Sequence, residues 1–267
     1  MREMFELEFM RMAALGGTAA ALALSLLGVY IVLRRVVFVG LAIANVATLG
    51  VAIALTAGLP PQIVVLLAAV AAALSLALTA TPRRVPAESL VGWGYAAAAA
   101  FTVLVLARSA VDTLQVMGLV FGMVLAVTPV EAWMLVGVAA VIVVFHVMVG
   151  ARLILVLFDT DAARAAGVRT GAWTMVLYLL VGIAVSAGLR TTGTLLSFAF
   201  LTLPAMAALL LTQSLAAAFG LSAAIGMTAM LSGLVVSFRW DLPTGPVTVA
   251  LLAGAVGIAQ IVDRARR

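Results

Sequence analysis

Cysteine is absent from the 267 residues, and so is lysine. The first absence excludes a disulfide framework, a thiolate metal site and a cysteine nucleophile. The second excludes a phosphate-binding G-x-x-x-x-G-K-[ST] loop, so ATP hydrolysis of that type is not expected in this chain. Charge is scarce: 9% of residues are Asp, Glu, Lys or Arg, against about 25% in an ordinary soluble domain. Histidine and asparagine occur once each, as His146 and Asn45. What remains is apolar, with 66% hydrophobic residues and a mean hydropathy of +1.31. A water-soluble globule could not hide that much apolar surface. A cytosolic enzyme is therefore excluded, along with a disordered chain, a collagenous repeat and a coiled coil. All fifteen cations are arginines and the net charge is +5; in so apolar a chain this reads as a topology signal, not a nucleic-acid surface.

The expected fold is an all-α, polytopic membrane protein forming one transmembrane domain over residues 1–267. A helix needs roughly 20 apolar residues to cross the hydrocarbon core. Stretches at about 12–33, 36–57, 60–79, 91–108, 133–157, 172–189, 193–211, 219–238 and 247–263 meet or approach that length, giving eight to nine spans. Arg34-Arg35, Pro60-Pro61, the run Thr81–Pro86 and the run Trp240–Pro246 punctuate them. Spans of this kind are helices because lipid offers no partner to an open backbone. With the Arg34-Arg35 end inside, ten arginines lie inside and five outside, which predicts an outer N-terminus and an inner C-terminus. No cleaved signal is expected, and Met1–Phe9 reads as an amphipathic lead-in bearing Glu3, Glu6 and Glu8. In the linker 109–132, Gly118–Gly122 is expected to form a short interfacial helix.

The span interiors hold no chain of Asp and Glu such as a proton-coupled carrier uses. His146, mid-span, has two readings: a metal ligand or pH-sensitive gate, or a neutral imidazole bonded to a neighbouring helix. Asn45, Thr48 and Thr56 fall roughly on one helix face. That strip could line a pathway or serve as interhelical glue, worth about 0.6 kcal/mol per hydrogen bond. The abundant glycines read as close helix packing. On the inner side, Asp159 could cap a short helix with Asp161 in its first turn and Gly167 at its end. A rigid amphipathic helix at about 159–167 is a handle another protein could push.

The run Phe158–Val168 resembles the F-D-x-E-x-A-x-x-x-G coupling-helix signature of the ABC-3 permeases. The resemblance extends over about 9–263. Phe9–Ala13 is similar to the family's F-M-R-R-A opening and Leu27–Arg35 to its L-G-v-f-v-v-L-R-R. Glu88–Gly92 is similar to the start of its fourth span and Phe121–Val127 to F-G-d-x-L-x-v. Gly193–Leu196 with Leu203–Ala208, and Gly233–Phe238 with Asp241–Gly245, match its remaining motifs in order.

The resemblance implies a multi-pass permease of the cytoplasmic membrane, with the type II ABC importer fold and a zinc, manganese or iron substrate. It implies a second permease copy or a related permease, two cytoplasmic ATPase subunits that bind ATP and magnesium, and an extracytoplasmic solute-binding protein. Asp159, Asp161, Ala162 and Gly167 become the candidate ATPase-coupling residues. Leu41, Asn45, Thr48 and His146 become the candidate substrate-pathway residues. The chain departs from the family at Gly40–Gly50, where metal-transporting members read G-D-A-x-S-H-x-x-L-P-G. The Asp and His positions are Leu41 and Asn45, the Pro position is Leu49, and the Asp of F-G-d is Met123. Leu binds no cation and an Asn amide is a weak, neutral ligand. The alternatives are a chelated metal or a non-metal solute as substrate, or a secondary carrier that works without ATPases.

Overall fold

The computed structural model describes residues 7–79, 86–107, 118, 120–158 and 160–266. Nine α-helices follow one another among them: α1 (Glu8–Leu33), α2 (Phe38–Ala57), α3 (Pro61–Thr79), α4 (Ala87–Leu106), α5 (Pro129–Phe158), α6 (Thr160–Ala165), α7 (Thr170–Leu211), α8 (Leu215–Trp240) and α9 (Thr244–Arg266). All but α6 are long and apolar enough to cross a membrane.

The helix ends obey local chemistry. Pro61 opens α3, where its missing N–H would lack a partner anyway. Gly58 closes α2 in the left-handed region at φ 65°. At the start of α5, Thr128 and Glu131 form a reciprocal cap: the Glu131 carboxylate accepts from the Thr128 N–H at 2.9 Å, and the Thr128 hydroxyl accepts from the Glu131 N–H at 3.3 Å. The same carboxylate accepts from Arg190 Nη1 at 2.8 Å.

Helix α7 is 42 residues long, about 63 Å at 1.5 Å per residue and roughly twice the hydrocarbon thickness. It is not one rod. Gly193 has φ 65° and ψ 179°, a conformation open in practice only to glycine. The contacts on either side show that the chain reverses there. Thr174 meets Arg34 at the end of α1, while Arg190 meets Glu131 at the start of α5. Gly193 lies against the backbone of Val120–Gly122, as does Gly245 against Phe121. Leu211 is back beside Arg266, whose guanidinium donates to its carbonyl at 2.8 Å. The halves 170–192 and 194–211 are therefore two antiparallel segments, which with the seven other long helices makes nine long apolar segments among the described residues. The two stretches read separately in the sequence form one continuous helical segment because a single residue suffices for the turn.

Both halves of α7 form the centre of the molecule. They pack against α1, α2, α3, α5, α8 and α9, and α1 packs in turn against α5 and α8. Close approach depends on small residues: a Cβ on Gly28 would strike the Leu201 carbonyl, and one on Gly226 the Ser25 hydroxyl. Helix α4 packs chiefly on α2 and leaves Trp93, Phe101, Val103 and Leu104 on the outside. In the linker before α5, Gly118, Val120 and Phe121 are helical and the Gly122 N–H donates to the Gly118 carbonyl at 2.9 Å. Residues 109–117 and the lead-in 1–6 lie outside the described residues. Arg34, Arg164, Arg169, Arg264 and Arg266 gather at one end of the bundle, as the arginine distribution predicts, and Arg190 and Arg239 lie at the other.

Candidate functional site

Leu41, Asn45 and Thr48 follow one another along one side of α2. Asn45 is half-buried and donates from Nδ2 to the Leu41 carbonyl of its own helix at 3.0 Å. Thr48 is buried and donates to the Ala44 carbonyl at 2.9 Å. These donor groups therefore spend hydrogen bonds on their own backbone, a common way to carry polar side chains on an apolar helix. Thr56, at the far end, is exposed and bonds likewise to Ala52 and Ile53.

At the arginine-rich end, Leu41 opens on a cleft of about 540 Å³ between the starts of α2 and α4. Phe38, Glu88, Ser89, Gly92 and Tyr95 complete its lining. Sequence reasoning missed this wall. A signal was there: Glu88, Gly92 and Tyr95 recur at helical spacing on one side of an otherwise apolar α4. The cleft combines an apolar floor with one exposed carboxylate and two hydroxyls, a surface a cation could traverse without being trapped.

His146 is not part of this group. It sits on α5, which packs against α1 and α7, whereas α2 packs against α3, α4 and α7. Its Nδ1 lies 2.6 Å from the Tyr30 hydroxyl, and its ring is 4.3 Å from that of Phe219 on α8. Tyr30 is 1% exposed. Among the described residues no three His, Cys, Asp or Glu side chains come together as metal ligands.

The segment between α5 and α7 is a short helix followed by a tight stop. Helix α6 runs Thr160–Ala165, shorter than the expected 159–167 because the chain leaves the helix for a turn at Ala166 and Gly167. Gly167 has φ 76°, its N–H donates to the Arg164 carbonyl at 3.0 Å, and the Val168 N–H donates to that of Ala163 at 2.9 Å. That is a left-handed helix stop of the kind Gly at this position predicts. Ala163 is fully buried, which seats α6 on the bundle. Asp159 lies outside the described residues, and of Asp161 and Ala162 only the helical backbone is described.

The chain matches the ABC 3 transport family over residues 6–263. It is 25% identical over 254 residues to the manganese transport system membrane protein MntC of Halalkalibacterium halodurans, covering 95% of this chain and 87% of that one. It is 24% identical over 264 residues to a probable iron transport system membrane protein of Haemophilus influenzae, covering 99% and 97%. Among solved structures it resembles PsaBC from Streptococcus pneumoniae in complex with Fab, with a TM-score of 0.85, 23% identity and coverage of 96% and 92%. A putative metal-chelate type ABC transporter in an inward-facing conformation has a TM-score of 0.79 at 15% identity, covering 94% and 85%. Those likenesses establish the fold. With its motifs in order from Phe9 to Gly245 and its helices arranged as in these transporters, the chain is a multi-pass membrane protein that belongs to the ABC 3 transport family.

Proposed function

We propose that the chain is the membrane-spanning permease of an ABC importer in the cytoplasmic membrane, carrying a divalent transition metal. The observation that carries this reading is the match over residues 6–263, together with relatives named for manganese and iron transport. Two permease copies, identical or related, would form the translocation unit, with the second copy closing the open side of the α2–α4 cleft. Leu41, Asn45 and Thr48 would line the route, and the arginine-rich end would be cytoplasmic. There α6 would dock on an ATPase subunit, with Asp159, Asp161 and Ala162 on the docking segment and Gly167 setting its end. The partner ATPases would bind ATP and magnesium, and a solute-binding protein would deliver the metal from outside. With Leu41 and Asn45 offering no strong ligand, selectivity would fall to that binding protein.

One observation favours a second reading. Leu41 and Asn45 stand where metal-transporting members have Asp and His, and an apolar route suits a chelated metal or a non-metal solute better than a bare cation. The two readings separate in one assay: ATPase activity of the reconstituted permease–ATPase complex with its binding protein loaded in turn with zinc, manganese and iron. Stimulation by one loaded form is the expected result. A complex that hydrolyses ATP but answers to no metal would transfer the assignment to the chelate or organic solute.

A further inference from the structure

Three pairs of residues, each four apart and so on one face of its helix, meet at the arginine-rich end of α1. The α1 pair is Tyr30 and Arg34. On one side the Tyr30 hydroxyl reaches His146 Nδ1 at 2.6 Å and enters the space left by Gly150, where a Cβ would lie 2.9 Å from that oxygen. On the other side Arg34 Nη1 donates to the Thr174 hydroxyl at 2.6 Å, and its guanidinium carbon lies 5.6 Å from the centre of the Tyr178 ring. Thus α1 is fastened to α5 by Tyr30 and to α7 by Arg34. Those are the two helices that flank α6. Beyond Gly150, α5 runs eight further residues to Phe158, an arm of about 12 Å. The Thr174 contact lies four residues into α7. Tyr30 also packs on Phe219 at 4.7 Å between ring centres, which carries the connection to α8.

We propose that Tyr30 and Arg34 are positioning residues that clamp both arms of the coupling segment to α1, so that displacement of α6 moves α1 and α8 with it. This rests on the importer reading above. Without the clamp, α6 and its arms could yield to a docked ATPase while the rest of the bundle stayed still. ATP would then be consumed without transport. His146 on this account is the partner of Tyr30 and not a substrate ligand.

The test measures ATP hydrolysis and metal uptake together in proteoliposomes holding the full permease–ATPase complex and manganese-loaded binding protein. Tyr30→Phe and Thr174→Val each remove one hydroxyl and keep the shape of the side chain. Each is expected to raise the ATP consumed per ion transported roughly two- to tenfold, the factor expected from one hydrogen bond. Thr174→Ser should restore the ratio. Thr228→Val, which removes an exposed hydroxyl bonded only to its own helix, should leave it unchanged. The two bonds lie on opposite sides of α1, so the experiment stands if one variant fails to assemble. Wild-type ratios in assembled Tyr30→Phe or Thr174→Val overturn the clamp while leaving the importer reading intact. A wild-type complex that moves no manganese, in which both variants keep its rate of ATP hydrolysis, overturns both.

Discussion

At the scale of single residues, the backbone decides where substitution is possible. Gly193→Ala adds a Cβ into the backbone of Phe121 and Gly122 at a φ that L side chains avoid. The expected cost is at least about 3 kcal/mol, read as loss of folded protein in detergent. Leu41 and Asn45 allow the opposite experiment. Leu41→Asp with Asn45→His sets a carboxylate and an imidazole one turn apart on α2 beside Glu88. That variant is expected to retain divalent metal after purification, measurable by elemental analysis, and to transport more slowly because tight binding opposes release. The rarity of Asn45 and His146 marks both residues in the sequence. Rarity could not tell that Asn45 donates to its own backbone while His146 pairs with a tyrosine 116 positions away.

Single helices carry the next set of expectations. The stop after α6 is legible in the sequence because Gly is the residue that adopts a left-handed helix end cheaply, and Gly167 does so at φ 76°. Nothing lies within 4 Å of a Cβ there, so Gly167→Val strains only the local backbone, by about 1–2 kcal/mol. The permease should therefore fold, while α6 shifts and ATP hydrolysis loses its link to transport. Unchanged coupling would remove Gly167 from the docking proposal. At the start of α5, Glu131→Ala removes the reciprocal cap with Thr128 and the pair with Arg190. Because Arg190 is 58% exposed, most of the loss comes from the cap. About 1 kcal/mol is expected, seen as a modest fall in Tm.

For the whole molecule, two central spans joined at Gly193 make α7 the axis on which the other helices pack. Most of the described arginines collect at one end, where the proposed ATPase contact and the α2–α4 cleft also lie. Much of this architecture is legible in the amino-acid sequence alone. A mean hydropathy of +1.31 and 9% charge determine a polytopic helical bundle, because unpaired backbone is too costly in lipid and only helices of about 20 residues close their own hydrogen bonds. The spacing of arginines assigns its two ends, and the ordered motifs its family. Tertiary structure alone decided that the two expected spans 172–189 and 193–211 are joined by a turn at the single residue Gly193. It also decided that Glu88 faces Leu41 across a cleft, and that Tyr30 and Arg34 grip the helices on either side of α6. Hydropathy and local spacing record which side chains tolerate lipid and where a helix stops. They carry no record of which apolar face meets which, since helices in lipid choose neighbours by shape and by a few hydrogen bonds between residues far apart in the chain.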